Sequence, residues 1–514
     1  MHFNESEVSN LPVENENIGF ISHVSDECKK NTGFNKLPVE MVSLILGNLE
    51  QADLVRLLSV NKSISQASLY TLWQEIECSF GTRFQSILKA DRRNRGYIRK
   101  LIVSVPPRHL DLDSNGMLMD GNFVVECLDL WMKEILDFVD GSRNAQIELY
   151  IRLPLRLHRG YVGKIHLFLR NLASRTLGSW TIDSISYSPD LSVLAWSDDL
   201  LETAKILGDR LQKITVREDG KNIAQGLEIW LRYCKSISTI TVFDLGGASS
   251  VRIPLITTWA LPPCVSYIRT NAVFFCPSNF LRTYKFSGAV DDKIWRYLTS
   301  CSSLRQIELR IMSFSGSRPK TRGLLPQLEE LNFYTSHIRG DDSKTIEVIW
   351  DLFRLLIRMA GALKRIAFWG EIPASSFQVM AENLRQLDTF TCYCFHEREL
   401  KFTEMKHVIC RLENLRIIRI ELRKDTFRIE NSQLAIFSQL GELAEISCCV
   451  EEFRLKIVLF FQQDTWVELV GRKMRPKNMW SGEFYSRAGW EKVNVNTLDI
   501  IVSQLVLRAE NIQM

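Results

Sequence analysis

Residues 304–309, LRQIEL, 328–333, LEELNF, and 363–368, LKRIAF, share one frame, an apolar residue followed by two more at the fourth and sixth places. The last two alternate with polar residues. In an extended strand they fall on one face, and the residues between them fall on the other. The frame continues at Leu384-x-x-Leu387-x-Thr389, Leu415-x-x-Ile418-x-Ile420 and Leu443-x-x-Ile446-x-Cys448. Weaker copies stand earlier, at Ile98-x-x-Leu101-x-Val103, Leu211-x-x-Ile214-x-Val216, Ile237-x-x-Ile240-x-Val242 and Leu281-x-x-Tyr284-x-Phe286. From Leu281 onward successive copies open roughly 21 to 35 residues apart, around the leucine-rich-repeat period with insertions.

Helical patterns lie between the copies. In 341–361, DDSKTIEVIWDLFRLLIRMAG, residues Ile346, Ile349, Trp350, Phe353, Leu356 and Met359 come near helical spacing, and Gly361 is placed to end the helix. A strand and a helix per repeat, stacked, predict an α/β fold. The expectation is an irregular leucine-rich-repeat-like horseshoe with strands on its concave side, over 79–470. Signals between 110 and 200 are weak, so the repeats start near either 98 or 200. Past about 470 the pattern stops, and TLDIIVSQLVLRA within 471–514 reads as a cap on the open end.

Upstream, residues 36–76, KLPVEMVSLILGNLEQADLVRLLSVNKSISQASLYTLWQEI, hold three short amphipathic segments. The spacing predicts helices from Pro38 to near Leu49, from Gln51 to near Val60, and from near Ser63 to Ile76. Pro38 suits a first helical turn, and Asp53 suits the positive end of the second helix. Met41, Val42, Leu44, Ile45, Leu46 and Leu49 cover more than one face. A unit of about forty residues has too little interior to bury them all. The surplus rests either on the first repeat, as an end cap, or on a separate protein. Residues 1–33, rich in Glu, Asn, Ser and Lys, are expected to be a disordered lead.

The order and spacing of this stretch resemble the F-box. The matching elements are Leu37-Pro38, Glu40, Leu44-Ile45-Leu46, Leu49, Asp53-Leu54, Leu57, Val60-Asn61-Lys62 and Leu72-Trp73. Ile64, where the family often has a large aromatic, and the serine-rich Ser63–Ser68 stretch depart from it. The resemblance places a three-helix F-box at 34–78. An F-box followed by leucine-rich-like repeats looks like the substrate receptor of a Skp–cullin–F-box ubiquitin ligase. It implies docking on a Skp-type adaptor, and through it a cullin. The implied adaptor contacts are Leu37, Pro38, Met41, Ile45, Leu46, Leu49, Asp53, Leu54, Leu57, Val60, Leu72 and Trp73. The repeats would hold a protein substrate, and the chain would carry no catalytic residue. The alternative is a non-degradative repeat scaffold that binds partners without the ligase.

In each copy the residue after the sixth place should face the concave surface. That column reads Arg310, Tyr334, Trp369, Phe390, Glu421 and Cys449. Tyr334, Trp369 and Phe390 would stand side by side, with Arg310, Arg365 and Glu330 in a polar margin. An aromatic strip with a polar rim is the composition of a binding hot spot. The other reading is that an inserted loop or the C-terminal tail covers the rings as ordinary core.

The chain of 514 residues is 46% apolar and 24% charged, enough for a sizeable core. A net charge of +4 gives no nucleic-acid footprint, and no run of about eighteen apolar residues predicts a membrane span. The first twenty residues lack the basic and apolar regions of a signal peptide. Twelve scattered cysteines without a C-x-x-C pair suggest reduced thiols in the cytoplasm or nucleus. Cys392-x-Cys394-x-His396, with His407 and Cys410, has the residue types of a zinc site. Alternate strand residues share a face without a metal, however, and Cys392 falls where leucine-rich repeats place Asn or Cys to bond a turn. No metal and no cofactor are expected. Arg92, Arg93, Arg95, Arg99 and Lys100 read as a solvated basic turn. Phosphate-binding glycine loops, G-x-S-x-G and H-E-x-x-H are absent, so no enzyme is expected.

Overall fold

A computed structural model of the protein describes residue 37 and residues 39–60, 62–79, 98–104, 121–140, 147–152, 159–185, 197–218, 220–244, 261–271, 279–315, 325–335, 343–370, 373–394, 402–424, 450–461, 465–474, 479–486 and 489–495. The chain divides into two compact units, Met1–Glu75 and Ile76–Met514. The expected lead at 1–33 and the TLDIIVSQLVLRA segment lie outside the described residues.

The first unit holds α1 (Val39–Leu46), α2 (Gln51–Leu57) and α3 (Lys62–Gln74). The first helix ends short of the expected Leu49. Its last bond is Gly47 N–H to the Ser43 carbonyl (2.8 Å), and the following Gly47-Asn48 pair has low helix propensity. Asp53 in the first turn of α2 bonds Arg56 at 3.1 Å. The serine-rich stretch lies within α3, with Ser68 buried. Val42, Leu46, Leu54 and Ala67 form the core, and Leu57 and Leu72 pack against it.

Among the described residues one sheet of seventeen strands forms. Its first half is β1 (Glu75–Ser79), β2 (Lys100–Ser104), β3 (Glu148–Arg152), β4 (Trp180–Ile185), β5 (Leu211–Glu218), β6 (Thr239–Asp244), β7 (Tyr267–Thr270) and β8 (Thr283–Asp291). Then come β9 (Gln306–Ser315), β10 (Glu330–Tyr334), β11 (Arg365–Trp369), β12 (Thr389–Cys394), β13 (Ile417–Lys424) and β14 (Glu452–Phe461). From β2 to β14 each strand pairs in parallel with the next in the chain. The sheet ends in an antiparallel meander, β15 (Thr465–Met474), β16 (Met479–Ser486) and β17 (Gly489–Val495).

Helices between the strands are α4 (Gly121–Asp140), α5 (Arg159–Arg175), α6 (Ser197–Leu207), α7 (Gly220–Tyr233), α8 (Asp292–Ser300), α9 (Ser343–Met359), α10 (Ala374–Asn383) and α11 (Phe402–Arg411). A strand–helix alternation with an all-parallel ladder makes this a leucine-rich-repeat-like α/β solenoid. Parallel strands need a crossover between them, which these segments supply. The repeats begin near 98, and β3, β4 and β7 are copies that the sequence pattern hides.

The core is an apolar ladder between sheet and helices. Ile240, Ile268, Tyr284, Ile307, Leu331, Ile366, Phe390 and Ile418 follow one another in register. A second ladder runs Val242, Thr270, Phe286, Leu309, Phe333, Phe368, Cys392 and Ile420. The helices cover these rungs. Phe333 meets Phe353 and Trp350 of α9 at 5.0 and 5.7 Å, Phe368 meets Phe377 of α10, and Tyr284 meets Tyr297 of α8.

Each copy enters its strand through the same turn. The N–H of Leu304, Leu328, Leu363, Leu387 and Leu415 bonds the carbonyl three residues back, on Cys301, Leu325, Ala360, Leu384 and Leu412 (3.1–3.2 Å). This corrects one frame. The copy assigned to Leu384 belongs to Leu387-x-x-Phe390-x-Cys392, because Leu384 is the buried turn residue. The strand after β13 carries Val450-x-x-Phe453-x-Leu455, whose last two positions face Ile418 and Ile420, while the copy read at Leu443 lies outside the described residues. Cys392 is therefore a core rung rather than a turn residue.

Candidate functional site

On the face opposite the helices the third column of outward residues runs Ser287, Arg310, Tyr334, Trp369, Tyr393 and Glu421. Tyr334 and Trp369 lie 5.7 Å apart, tilted at 45°. Trp369 stacks on Tyr393 at 4.9 Å and 19°. The Arg310 guanidinium sits over Tyr334, 4.9 Å from the ring centre. All three rings are half-buried. Neighbouring parallel strands hold corresponding residues about 4.8 Å apart, so three aromatics in one column come into ring contact. Such stacking is worth ~0.5–1.5 kcal/mol per pair beyond area burial.

Backbone bonds fix the end of the strip. Thr335 donates both its N–H (3.0 Å) and its hydroxyl (2.7 Å) to the Trp369 carbonyl, and Gly370 N–H donates to the Tyr393 carbonyl (3.1 Å). Gly370 has a φ of 109°, which lets the chain leave the strand directly after Trp369.

Beside the rings lies a polar margin. Glu308 takes Lys285 Nζ at 2.9 Å and Arg310 Nε at 3.1 Å. Partial burial would raise its pKa, but the bond to and charge of Lys285, with Arg310 beside it, hold the carboxyl below its ordinary value. Glu330 accepts from Gln306 Nε2 (2.7 Å), Asn332 Nδ2 (2.9 Å) and Arg365 (2.9 Å). Burial, and then the nearby Glu308 charge, push the Tyr334 hydroxyl up to about 12, so it stays a neutral donor. The arrangement offers flat aromatic edges flanked by fixed charges, which suits recognition of another surface.

The structure brings together Arg310, Tyr334, Trp369, Arg365 and Glu330 of the residues singled out from sequence. It does not bring Phe390 to them. Phe390 is 1% exposed and packs edge-on against Phe368 at 5.2 Å, inside the core. The expected outward place of Phe390 is therefore corrected to Tyr393, which sequence reading missed. The signal for it was Phe390-x-Cys392 as a second apolar pair one turn further on. Cys449, Cys394 and His396 lie outside the residues whose side chains are described, while His407 and Cys410 are exposed on α11.

In the three-helix unit, the resemblance-derived residues separate by burial. Leu46 and Leu54 are 6% and 5% exposed and belong to the unit's own core, with Leu57, Leu72 and Trp73 half-buried. Their expected role as direct contacts is thus corrected for Leu46 and Leu54. Leu37, Met41, Ile45, Leu49 and Val60 are exposed, as are Leu44 at 71% and Val55, neither of which is among the implied adaptor contacts. Asp53 is half-buried, and Pro38 lies outside the described residues.

No family model matches the chain, and no curated protein matches it. Among solved structures, a chain of the crystal structure of the Rad7 and Elc1 complex in yeast aligns over 81% of this chain and 88% of its own, at 14% identity and a TM-score of 0.34. At that identity and score the likeness carries no argument about fold or function.

Among the described residues no helix is long and apolar enough to cross a membrane. Cys78, Cys234, Cys301 and Cys392 are buried and in no disulfide. Burial, then Asp209, pushes Cys234 up to about 12, which leaves it protonated and a poor nucleophile.

Proposed function

We propose that the chain is the substrate-recognition subunit of a Skp–cullin–F-box ubiquitin ligase, acting in the cytoplasm or nucleus. Residues 37–73 dock on a Skp-type adaptor, and the repeat sheet holds a protein substrate. The chain contributes no catalytic group, metal or cofactor. One observation carries the reading. Leu37, Met41, Leu44, Ile45, Leu49, Val55 and Val60 stand exposed around a small core of the three-helix unit, in the stretch that resembles an F-box. Such a side chain gains ~1.5–3 kcal/mol on going from fully exposed to fully buried, and these, about half exposed, gain roughly half of that against a partner. That gain is large enough to make several of them the anchor of a stable interface. The strip at Tyr334, Trp369 and Tyr393 is the substrate surface in this reading.

Ile45→Asp with Leu49→Asp tests it, because both residues lie outside the core. Full-length protein should co-purify with the Skp-type adaptor and the cullin, and the double variant should lose both while its circular dichroism stays unchanged. Equal recovery of the adaptor by the variant would sink the reading. Wild-type protein that captures a partner through its repeats but never recovers the adaptor would establish the scaffold instead.

A further inference from the structure

Among the described residues several charges on the strip's face are neutralised in place, and the pair Arg419 and Arg454 is not. Lys285 and Arg310 share Glu308, and Arg365 takes Glu330. Arg419 on β13 and Arg454 on β14 are directly opposite in the parallel register. Arg419 is exposed and Arg454 half-buried. Among the described residues neither guanidinium has an ion pair or hydrogen bond.

Adjacent strands hold such residues about 4.8 Å apart, and like charges at that separation repel. Partial burial of one of them lessens screening by water. The pair is therefore a standing cost to the sheet that an anion between the two would remove. Arg419 is also in register with Thr391, two residues before Tyr393, so the pair stands one strand from the aromatic stack. Glu421 and Glu452 lie on the same face, two residues from Arg419 and Arg454 respectively. They oppose a second negative charge, which disfavours a dianionic phosphate and favours a monoanionic carboxylate. A guanidinium fork matches a carboxylate with two parallel hydrogen bonds.

We propose that Arg419 and Arg454 anchor a carboxylate-bearing segment of the bound protein. An Asp or Glu side chain of that segment bridges the two guanidinium groups, and a neighbouring apolar residue lies against the Trp369–Tyr393 stack. This rests on the repeat sheet being the substrate-holding surface.

The probe is a fluorescein-labelled hexapeptide alternating glutamate and phenylalanine, read by fluorescence anisotropy on the full-length protein. Arg419→Gln with Arg454→Gln should weaken binding at least about tenfold, since a lost charged hydrogen bond alone accounts for that factor. Lys213→Gln, at an exposed cation on β5, should leave binding unchanged. Arg419→Lys with Arg454→Lys keeps the charge but loses the forks, and should fall between. An unchanged affinity in the double Gln variant overturns the proposal, as does an equal loss in Lys213→Gln. No binding by the wild type, or tighter binding of the matching phosphoserine peptide, also overturns it. Adaptor recovery on the same proteins separates this result from the ligase reading, because residues 37–73 are untouched.

Discussion

Truncating Phe390 and Tyr393 separately decides which of the two is core and which is surface. Phe390 is 1% exposed, wedged edge-on against Phe368 at 5.2 Å and in register between Ile366 and Ile418. Phe390→Ala removes a fully buried ring and leaves a void between β12 and its helices. Large-to-small changes of this kind cost about 3–5 kcal/mol. Tyr393 is half-buried and its ring stacks on Trp369 at 4.9 Å. Tyr393→Ala forfeits the stack, ~0.5–1.5 kcal/mol, and some partial burial. The first variant should therefore lose about twice or more the stability of the second. A repeat stack transmits such a loss to its neighbours first. Urea unfolding followed by circular dichroism gives the global effect, and hydrogen exchange of the amides in β11, β12 and β13 locates it. In a binding assay the order reverses: Tyr393→Ala should abolish capture of a repeat-bound partner in protein that remains folded. Equal destabilisation by the two variants, or a greater loss for Tyr393→Ala, would refute the assigned strand frame.

Burial, with Arg170 adding to it, lowers the pKa of His166 from 6.5 to about 4, with Thr203 Oγ1 3.0 Å from Nδ1. The unfolded chain binds the proton first, so this neutral ring contributes fully above pH 6.5 and loses up to about 3 kcal/mol as pH falls toward 4; His166→Gln should flatten stability between pH 6.5 and 4.5 in urea titrations, and an unchanged slope would count against it. Val42→Ala should lower the melting temperature of the three-helix unit, because Val42 is wholly buried, whereas Ile45→Ala, at 47% exposure, should not; matching melts would contradict the core assignment. Native-state alkylation followed by mass spectrometry should label exposed Cys410 before Cys234, whose buried thiol is held protonated, and early labelling of Cys234 would refute that burial. Gly370→Ala forces a side chain into a φ of 109°, so it should destabilise β11 by ~1 kcal/mol or more and displace Trp369, seen as a changed tryptophan emission; no change in either would show that the turn tolerates it.

Copies were legible where the first position is apolar, whether the turn residue three before it is small, as before Leu304 and Leu363, or a leucine, as before Leu328 and Leu415. At 360 the turn residue is Ala, at 301 Cys, and the frame from Leu363 or Leu304 stands alone. At 384 the turn residue is itself a leucine, three before Leu387, so the turn and the strand each imitate the start of a repeat. Only the hydrogen bond from Leu387 N–H to the Leu384 carbonyl separates them. A three-residue slip is an odd number of places on a strand of period two, so it exchanges the inward and outward faces. That is why Phe390 was expected outside and Tyr393 went unnoticed, although both lie in the same six residues. In β3 the same ambiguity has the opposite effect: the first position is polar Gln146, and the pair Leu149 and Ile151 carries the register alone. The three-helix unit shows a different limit. Its excess of apolar residues could be counted from composition, but which of them form its core depends on how three helices cross. Leu46 and Leu54 close that core while Ile45 and Val55, one position away, face out. One residue on a helix is about 100° of rotation, so neighbours of equal hydrophobicity take opposite roles.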